Sequence, residues 1–249
     1  VNYKLHPDKL ENSYFDYEWR SDNKLPITVF HKVEERDSCM RLTVQLTAAQ
    51  DVYFNYRQLL STGYRHDNCQ FYMPGFWYRR NLRSPKKAPS FHTSDSWLVR
   101  EDRLSAPLTG IFSEKEKRFM TVNRLDDFSM DALATHKEGE IILSGKTSLG
   151  FTGFENQQGI AMLSFGFPYR EAPKSYIRKL TLAPEVEAFQ LMKKGESVLL
   201  TWEIMESGAD DFSDFIQHTW EHCYDTYAPK PVENSYSIAD MKQVLSCFF

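Results

Sequence analysis

Residues 40–48, MRLTVQLTA, carry the pattern that decides the fold of this chain. The apolar residues Met40, Leu42, Val44 and Leu46 alternate with the polar residues Arg41, Thr43, Gln45 and Thr47. Successive side chains of a β-strand point to opposite faces, so this alternation is typical of a strand with one buried and one exposed face. Strands of this kind pair in antiparallel sheets that pack one face on a core.

The same period of two, or a short apolar run between turn signals, predicts further strands along the first 206 residues. The predicted strands cover residues 15–19, 27–35, 40–48, 52–56, 69–73, 96–100, 108–113, 118–124, 140–144, 160–166, 175–182 and 197–204. Turn signals such as Pro-Gly at 74–75 and Lys-Gly at 194–195 separate them. No helical pattern interrupts the series. The sequence therefore predicts a mainly β fold, with a large antiparallel β-sandwich over residues 1–206.

The pattern changes to a helical one after residue 206. Apolar side chains then recur every three or four residues, at Phe212, Phe215, Ile216, Thr219, Cys223 and Tyr227. Asp210 or Asp211 is the expected N-cap, and Ser237 with Asp240 resembles a capping box that begins a second helix. We therefore expect residues 207–249 to be linker helices that begin a truncated helical domain.

Composition limits the classes of partner. The 249 residues carry a net charge of −4 and no long Lys/Arg run, which argues against a nucleic-acid partner or an anionic membrane surface. No stretch reaches 18 apolar residues, so no membrane-spanning segment is expected. The chain opens with Val1 and no apolar leader, and we expect it to be part of a longer, exported protein that acts in the periplasm or outside the cell.

The four cysteines, Cys39, Cys69, Cys223 and Cys247, lack the spacing of a metal site. A chain of this length does not need disulfides to fold, so the sequence favours free, buried thiols. A pair between Cys39 and Cys69 in an oxidising compartment is the alternative. No cofactor or metal is expected.

A second metal hypothesis comes from His218-Thr-Trp-Glu-His222, which matches the H-x-x-E-H motif of inverted zinc peptidases. Two histidines four residues apart on a helix can share a metal, and the glutamate between them can act as a base. Both histidines, however, fall at the margin of the apolar stripe, where a structural histidine is common. Zinc-dependent hydrolysis is therefore kept only as an alternative.

Paired carboxylates occur at Glu101-Asp102, Asp126-Asp127 and Asp210-Asp211. Adjacent residues of one strand point to opposite faces, so these pairs are no evidence for the two-carboxylate site of glycoside hydrolysis. Turn or capping roles are expected for the pairs at 126–127 and 210–211.

Residues 71–81, FYMPGFWYRRN, combine five aromatics, a Pro-Gly turn and two arginines. Alternation places Phe76 and Tyr78 on one face and Trp77 on the other, so at least one of Trp77 and Tyr78 should be exposed or covered by another element. Aromatic faces stack on the apolar faces of sugars, and the following residues can supply polar contacts. The candidate sugar contacts here are Trp77, Tyr78, Arg79, Arg80 and Asn81. Arginine stacked on an exposed tryptophan is the structural alternative.

A second charged strand end follows in WLVREDRLSAP, residues 97–107. If it neighbours the first, Arg100, Asp102 and Arg103 converge with the arginines of 79–80 on one rim, where guanidinium forks and carboxylates suit sugar hydroxyls and uronates. The alternative is an ion network that pairs Arg100 and Arg103 with Glu101 or Asp102.

The chain resembles one class of bacterial carbohydrate-active enzymes, those that combine an N-terminal β-sandwich with an (α/α)6 helical toroid. The resemblance is carried by the aromatic sandwich of about two hundred residues, the helix with Trp220, Tyr224 and Pro229, and the stretches PGFWYRRN and VREDRLS. These stretches are similar to loops of that sandwich that face the toroid's active-site mouth. In that class the catalytic carboxylates usually come from the toroid.

The resemblance implies an accessory, non-catalytic sandwich domain of a larger glycan-degrading, glycoside hydrolase-like enzyme. It would form one wall of the substrate cleft, with Trp77, Arg79, Asn81 and Arg103 among its contacts. Its expected partners are a carbohydrate ligand and the helical domain of the same chain. A stand-alone carbohydrate-binding module is the main alternative.

Overall fold

The computed structural model describes residues 17–20, 25–37, 39–81, 91, 94–126, 141–144, 147–172, 176–178, 181–182, 186–230 and 237–246. Within these residues the chain forms eighteen strands and two α-helices. The first nine strands are β1 Tyr17–Arg20, β2 Ile27–Arg36, β3 Cys39–Ala48, β4 Val52–Phe54, β5 Tyr56–Arg65, β6 Cys69–Met73, β7 Trp77–Arg79, β8 Ser96–Arg100 and β9 Leu108–Ser113. The others are β10 Arg118–Arg124, β11 Ile141–Ser144, β12 Phe151–Gln157, β13 Ile160–Phe167, β14 Arg170–Glu171, β15 Tyr176–Arg178, β16 Thr181–Leu182, β17 Val186–Met192 and β18 Ser197–Gly208. The mainly β fold predicted from the sequence is confirmed.

The largest sheet has eight antiparallel strands in the order β1-β2-β3-β18-β10-β9-β6-β7. The stretch that decides the fold, now β3, lies between β2 and β18, with Val44 opposite Leu200 and Leu42 opposite Trp202. Leu42, Val44 and Leu46 are all buried, as the alternation predicts, but Met40, expected on the same face, is 38% exposed. Strand β7 ends the sheet, so it has a neighbour on one side only among the described strands.

A second sheet has the order β5-β13-β12-β8 and is antiparallel throughout. Strand β8 also meets residue 172 on its other side, where Leu98 and Ala172 exchange backbone hydrogen bonds of 2.9 and 3.1 Å. A third sheet joins β11, β17, β14 and β4, and β15 pairs with β16. Strand β8 is therefore flanked on both sides, unlike β7.

The main core lies between the two larger sheets and is rich in aromatic rings. Trp202 of the first sheet packs on Phe165 of the second, with ring centroids 5.1 Å apart, and Trp77 packs on Phe154 at 5.0 Å. All four side chains are almost fully buried. Large rings bury much apolar area each, so part of the 14% aromatic content is explained by this core alone.

Helix α1, Phe212–Tyr227, begins beside the outer face of the eight-stranded sheet. Phe215 is fully buried there between Phe112 and Phe119, and a Cβ at Gly110 would come within 2.6 Å of its ring. Asp211 is the N-cap, because its Oδ1 accepts hydrogen bonds from the backbone N–H groups of residues 213 and 214. These backbone hydrogen bonds lower the pKa of the Asp211 carboxyl.

Helix α2, Ile238–Ser246, begins with the predicted capping box. The Ser237 N–H donates to Asp240 Oδ2 at 2.7 Å, and the Asp240 N–H donates to Ser237 Oγ at 3.1 Å. By compactness the chain divides into Val1–Phe215 and Ile216–Phe249. The predicted division into a domain of residues 1–206 and helices of 207–249 stays a prediction. No helix among the described residues is long and apolar enough to cross a membrane.

The predicted strand ranges leave out most of β5 and all of β7, β12, β14 and β17. In β12, Gly153 interrupts the pattern, although the strand needs it, because a Cβ there would lie 1.9 Å from the Trp97 carbonyl oxygen. Strand β17 does alternate, with Val186, Ala188 and Met192 buried, so its signal was available. The predicted strand at 175–182 is the short pair β15 and β16, and residue 15 lies outside the described residues.

Candidate functional site

The first charged strand end is built on the β6–β7 hairpin. Met73 pairs with Trp77, and Phe71 pairs with Arg79, across the Pro74-Gly75 turn. Gly75 has φ +80°, which L side chains rarely adopt, and a Cβ there would lie 2.8 Å from Ser105 Oγ. The turn therefore requires glycine, and it holds β7 at the edge of the sheet.

Trp77 does not face solvent. Its side chain is fully buried among Phe91, Trp97 and Phe154, and its Nε1–H donates to the Arg79 carbonyl at 3.0 Å. Successive side chains of β7 point to opposite faces of the sheet, and the Trp77 ring points towards the core of the sandwich. The expectation that Trp77 contacts a sugar is therefore wrong, because its ring has no exposed face to offer.

Tyr78, the next residue, points outwards and is 53% exposed. Its hydroxyl accepts a hydrogen bond of 3.1 Å from the Gly75 N–H. The edge of its ring packs against Tyr72 at a centroid distance of 5.4 Å and an angle of 60°. Tyr78 is thus an exposed aromatic ring whose position is fixed from two sides.

Arg79, Arg80 and Asn81 follow Tyr78 directly in the chain. Arg79 and Asn81 both have left-handed backbone, with φ of 56° and 55°. The Arg79 guanidinium lies 5.2 Å from the centre of the Phe212 ring. Arg80 Nε donates to the Cys69 carbonyl at 3.2 Å, and its Nη2 donates to the carbonyl of Asp67. These contacts order the arginines, and a bound sugar would meet them already in place.

The second charged strand end, after β8, is mostly buried. A 3-10 turn over Glu101–Arg103 follows the strand. Arg100 pairs with Asp102 at 2.5 Å and lies 5.5 Å from the centre of the Tyr169 ring, and Arg103 Nη2 donates to Glu171 Oε2 at 3.1 Å. The Glu171 side chain is fully buried. The Arg100–Asp102 pair agrees with the ion-network alternative, but Arg103 pairs with Glu171 of β14 rather than with Glu101 or Asp102.

Glu101, which the sequence did not select as a sugar contact, makes a separate buried ion pair with Arg124 of β10. It is 1% exposed, and its Oε2 accepts from Arg124 Nη1 at 2.6 Å and from the Gly150 N–H at 2.7 Å. Burial raises the pKa of the Glu101 carboxyl, although the charge of Arg124 opposes the rise. Burial lowers the pKa of Arg124, but the charges of Glu101 and Asp126 outweigh it, so the guanidinium stays protonated.

Asp126, for which the sequence predicted a turn or capping role, instead links the end of β10 to β18. Its Oδ2 accepts from Arg124 Nε at 3.1 Å and from the Thr201 N–H at 2.9 Å. Asp127, its sequence neighbour, lies outside the described residues.

The arginines of the two charged strand ends share no contact partner among the described residues, so their contacts do not bring them together on one rim. Arg79 and Arg80 contact residues 67, 69, 114 and 212. Arg100 and Arg103 contact Asp102, Tyr169 and Glu171 instead. We refer to Tyr78, Arg79, Arg80 and Asn81 as the edge site and to Arg100, Glu101, Asp102, Arg103, Arg124 and Glu171 as the buried ion network. A sugar-binding role for either remains a prediction.

The H-x-x-E-H motif lies in α1. Its Glu221 Oε1 accepts a hydrogen bond of 2.8 Å from Gln217 Nε2, and His222 Nε2 lies 3.4 Å from Thr226 Oγ1. Among the described residues, no cluster of three possible metal donors contains both His218 and His222. Cys39, Cys69 and Cys223 are buried free thiols, as expected, and Cys247 is outside the described residues.

Comparison with family models and with curated proteins finds no match to this sequence. Among solved structures, the chain is similar to a putative aldose 1-epimerase from Escherichia coli K12, with 7% identity, a TM-score of 0.42, and 80% of this chain and 67% of that one covered. A putative aldose 1-epimerase from Klebsiella pneumoniae gives 9%, 0.43, 90% and 57%. A galactose mutarotase-like protein from Lactobacillus casei gives 10%, 0.41, 77% and 69%. The chain thus spans between 57% and 69% of the lengths of these three structures.

Proposed function

We propose that this chain is a carbohydrate-binding β-sandwich domain, accessory to a larger glycan-degrading enzyme that acts in the periplasm or outside the cell. The edge site binds sugar, and the domain contributes one wall of a substrate cleft without catalysing the reaction itself. The single observation that carries the proposal is the Tyr78 ring, 53% exposed at the sheet edge and held in place by the chain around it.

The support from Tyr78 is physical. An exposed tyrosine offers a flat apolar face to the C–H face of a pyranose, and its cost in lost side-chain freedom on binding is small when the ring is already fixed. Here the Gly75 N–H and the Tyr72 ring fix it. An exposed ring that is already fixed in this way is better suited to stack on a flat ligand than a mobile surface side chain.

The neighbouring polar groups complete the site. Guanidinium groups donate paired hydrogen bonds to vicinal hydroxyls or to a uronate carboxylate, and an amide both donates and accepts. Arg79 is oriented by its contact with Phe212, and the Asn81 N–H donates to the Tyr78 carbonyl at 3.1 Å. Arg79, Arg80 and Asn81 directly follow Tyr78 in the chain, and in the proposed complex they bind hydroxyls of the sugar that stacks on its ring.

The test is a titration of the full chain with a panel of neutral and uronate-containing oligosaccharides, followed by NMR of the protein amides. We expect millimolar binding that Tyr78→Ala weakens about tenfold. Tyr53→Ala is the matched control, because Tyr53 is another strand tyrosine, 45% exposed, that lies in β4 of a different sheet.

Equal binding by the two variants, or no response to any oligosaccharide, would contradict the proposal. Binding in the micromolar range by the isolated chain would instead favour the stand-alone carbohydrate-binding module. Stoichiometric zinc in the purified protein, lost in His218→Ala, would favour the metal-dependent hydrolase.

A further inference from the structure

Helix α1 carries an exposed surface that the edge site does not use. Trp220 is 39% exposed and Tyr224 is 65% exposed. With Gln217, Glu221 and Asp225 they line a shallow pocket along one side of the helix. Position 217, the pair 220–221 and the pair 224–225 follow one another at steps of three or four residues, so they form one stripe over more than two turns. We call these five residues the α1 face.

The charged side chains of this face are all acidic. Helix α1 contains the carboxylates of Asp214, Glu221 and Asp225 but no lysine or arginine. Gln217 Nε2 donates to Glu221 Oε1 at 2.8 Å and so fixes the carboxylate within the pocket that also contains Trp220. Aromatic rings have negative faces, so rings and carboxylates together attract a cation.

We infer that the α1 face binds an arginine-bearing amphipathic helix of a separate protein. A guanidinium is planar, stacks on Trp220 or Tyr224, and reaches the Glu221 or Asp225 carboxylate with two parallel hydrogen bonds, which an ammonium group cannot do. The length of the stripe matches the anchors of a second helix at i, i+3 or i+4, and i+7. Aromatic and arginine side chains are also the usual anchors of protein interfaces.

This inference adds the chemistry of a macromolecular partner to the proposed function, but it does not depend on sugar binding at Tyr78. The probes are three alanine-rich helical peptides of roughly 15 residues that carry leucine at one i, i+4 pair and arginine, lysine or glutamate at the next. The full chain is titrated with each peptide, and the amide resonances of residues 217–227 are followed at low and high salt.

We expect the arginine peptide to bind with a Kd below about 1 mM, several-fold more tightly than the lysine peptide, with affinity falling as salt is raised. Trp220→Ala should weaken binding about fivefold or more, and so should the double variant Glu221→Gln with Asp225→Asn, which keeps the shapes of both side chains. Tyr224→Ala provides a second aromatic variant if Trp220→Ala does not fold.

Tyr78→Ala is the control for the edge site and should bind the arginine peptide normally, as Trp220→Ala should bind sugar normally. Each proposal can therefore fail without the other. The inference is overturned if the glutamate peptide binds as well as the arginine peptide, if the charge variants bind unchanged, or if no peptide binds at about 1 mM.

Discussion

The edge site and the buried ion network arise from similar sequences in different positions. Both follow a short strand that contains tryptophan, and both place two arginines within four residues, in WYRR and in VREDR. Strand β7 ends the eight-stranded sheet, whereas β8 pairs with β12 on one side and meets Ala172 on the other. The turn that follows β8 is therefore mostly buried, whereas Tyr78 and Arg79 of β7 are exposed.

The difference in surroundings decides which partners the arginines have. Arg79 and Arg80 contact an aromatic ring and backbone carbonyls. In the ion network each arginine pairs with a carboxylate, Arg100 with the nearby Asp102, Arg103 with Glu171 and Arg124 with Glu101. A buried charge without such a partner costs several kcal/mol. A charged strand end therefore predicts a binding surface only where the strand lies at the edge of a sheet.

The sharpest way to test this comparison is Arg124→Met, and we expect a loss of about 3–5 kcal/mol in the free energy of unfolding. Arg124 is 4% exposed and is the direct partner of the buried Glu101 carboxylate. The substitution keeps an apolar stem but leaves that carboxylate without its counter-charge. Urea denaturation followed by tryptophan fluorescence measures the loss.

Arg118→Met is the matched control because Arg118 lies on the same strand, β10, and pairs with Glu206 at 3.0 Å while 52% of its side chain is exposed. Exposed pairs contribute little, so a loss below about 1 kcal/mol is expected. A similar loss in both variants would mean that burial does not separate the two kinds of charge.

The pH dependence of Arg124→Met follows from the raised pKa of Glu101. In the folded variant this pKa rises further, since the opposing charge of Arg124 is gone, whereas in the unfolded chain it has its ordinary value. The folded variant then binds the proton more tightly than the unfolded chain, so falling pH stabilises it. The deficit relative to the wild type should therefore shrink as the pH falls from above the raised pKa of Glu101 in the folded variant towards the ordinary pKa of a glutamate, about 4.3.

Most of the fold could be predicted from alternation, because one buried sheet face imposes a period of two on the strand. β3 shows the pattern from Leu42 to Ala48, and the sequence of β18 shows it from Val198 to Ile204. β12 did not, since Gly153 and the polar end of the strand interrupt it. Alternation does not predict the order of strands in a sheet. The sequence therefore could not show that β7 lies at a sheet edge whereas β8 is flanked on both sides.

The site could be predicted only in part for the same reason. Parity left open whether Trp77 or Tyr78 faces outwards, and only the hairpin register assigns Trp77 to the core. The partners of Glu101 and Arg103, which are Arg124 and Glu171, are 23 and 68 residues away in the sequence. Pairing over such distances depends on the sheet arrangement rather than on any local motif.

A second, smaller effect is expected from Arg103→Met, with a loss of about 2 kcal/mol. The Glu171 carboxylate is fully buried, but Arg103 is 20% exposed, so water can partly replace the missing guanidinium. Arg103→Lys should restore part of the loss, because an ammonium keeps the charge without the paired hydrogen bonds. The same urea titration measures this loss. Wild-type stability in Arg103→Met would show that the Arg103–Glu171 pair contributes nothing to the free energy of unfolding.

The smallest effect is expected at the edge site itself, with Arg79→Gly changing the free energy of unfolding by less than about 0.5 kcal/mol. Arg79 has φ 56°, a conformation that costs an L residue about 1 kcal/mol and glycine almost nothing. That relief offsets the lost contact between the guanidinium and the Phe212 ring, which contributes a similar amount. Sugar binding should nevertheless fall several-fold, since the donors beside Tyr78 are removed. A loss of 2 kcal/mol or more, or unchanged binding, would place Arg79 with the structural arginines and erase the difference between the two strand ends.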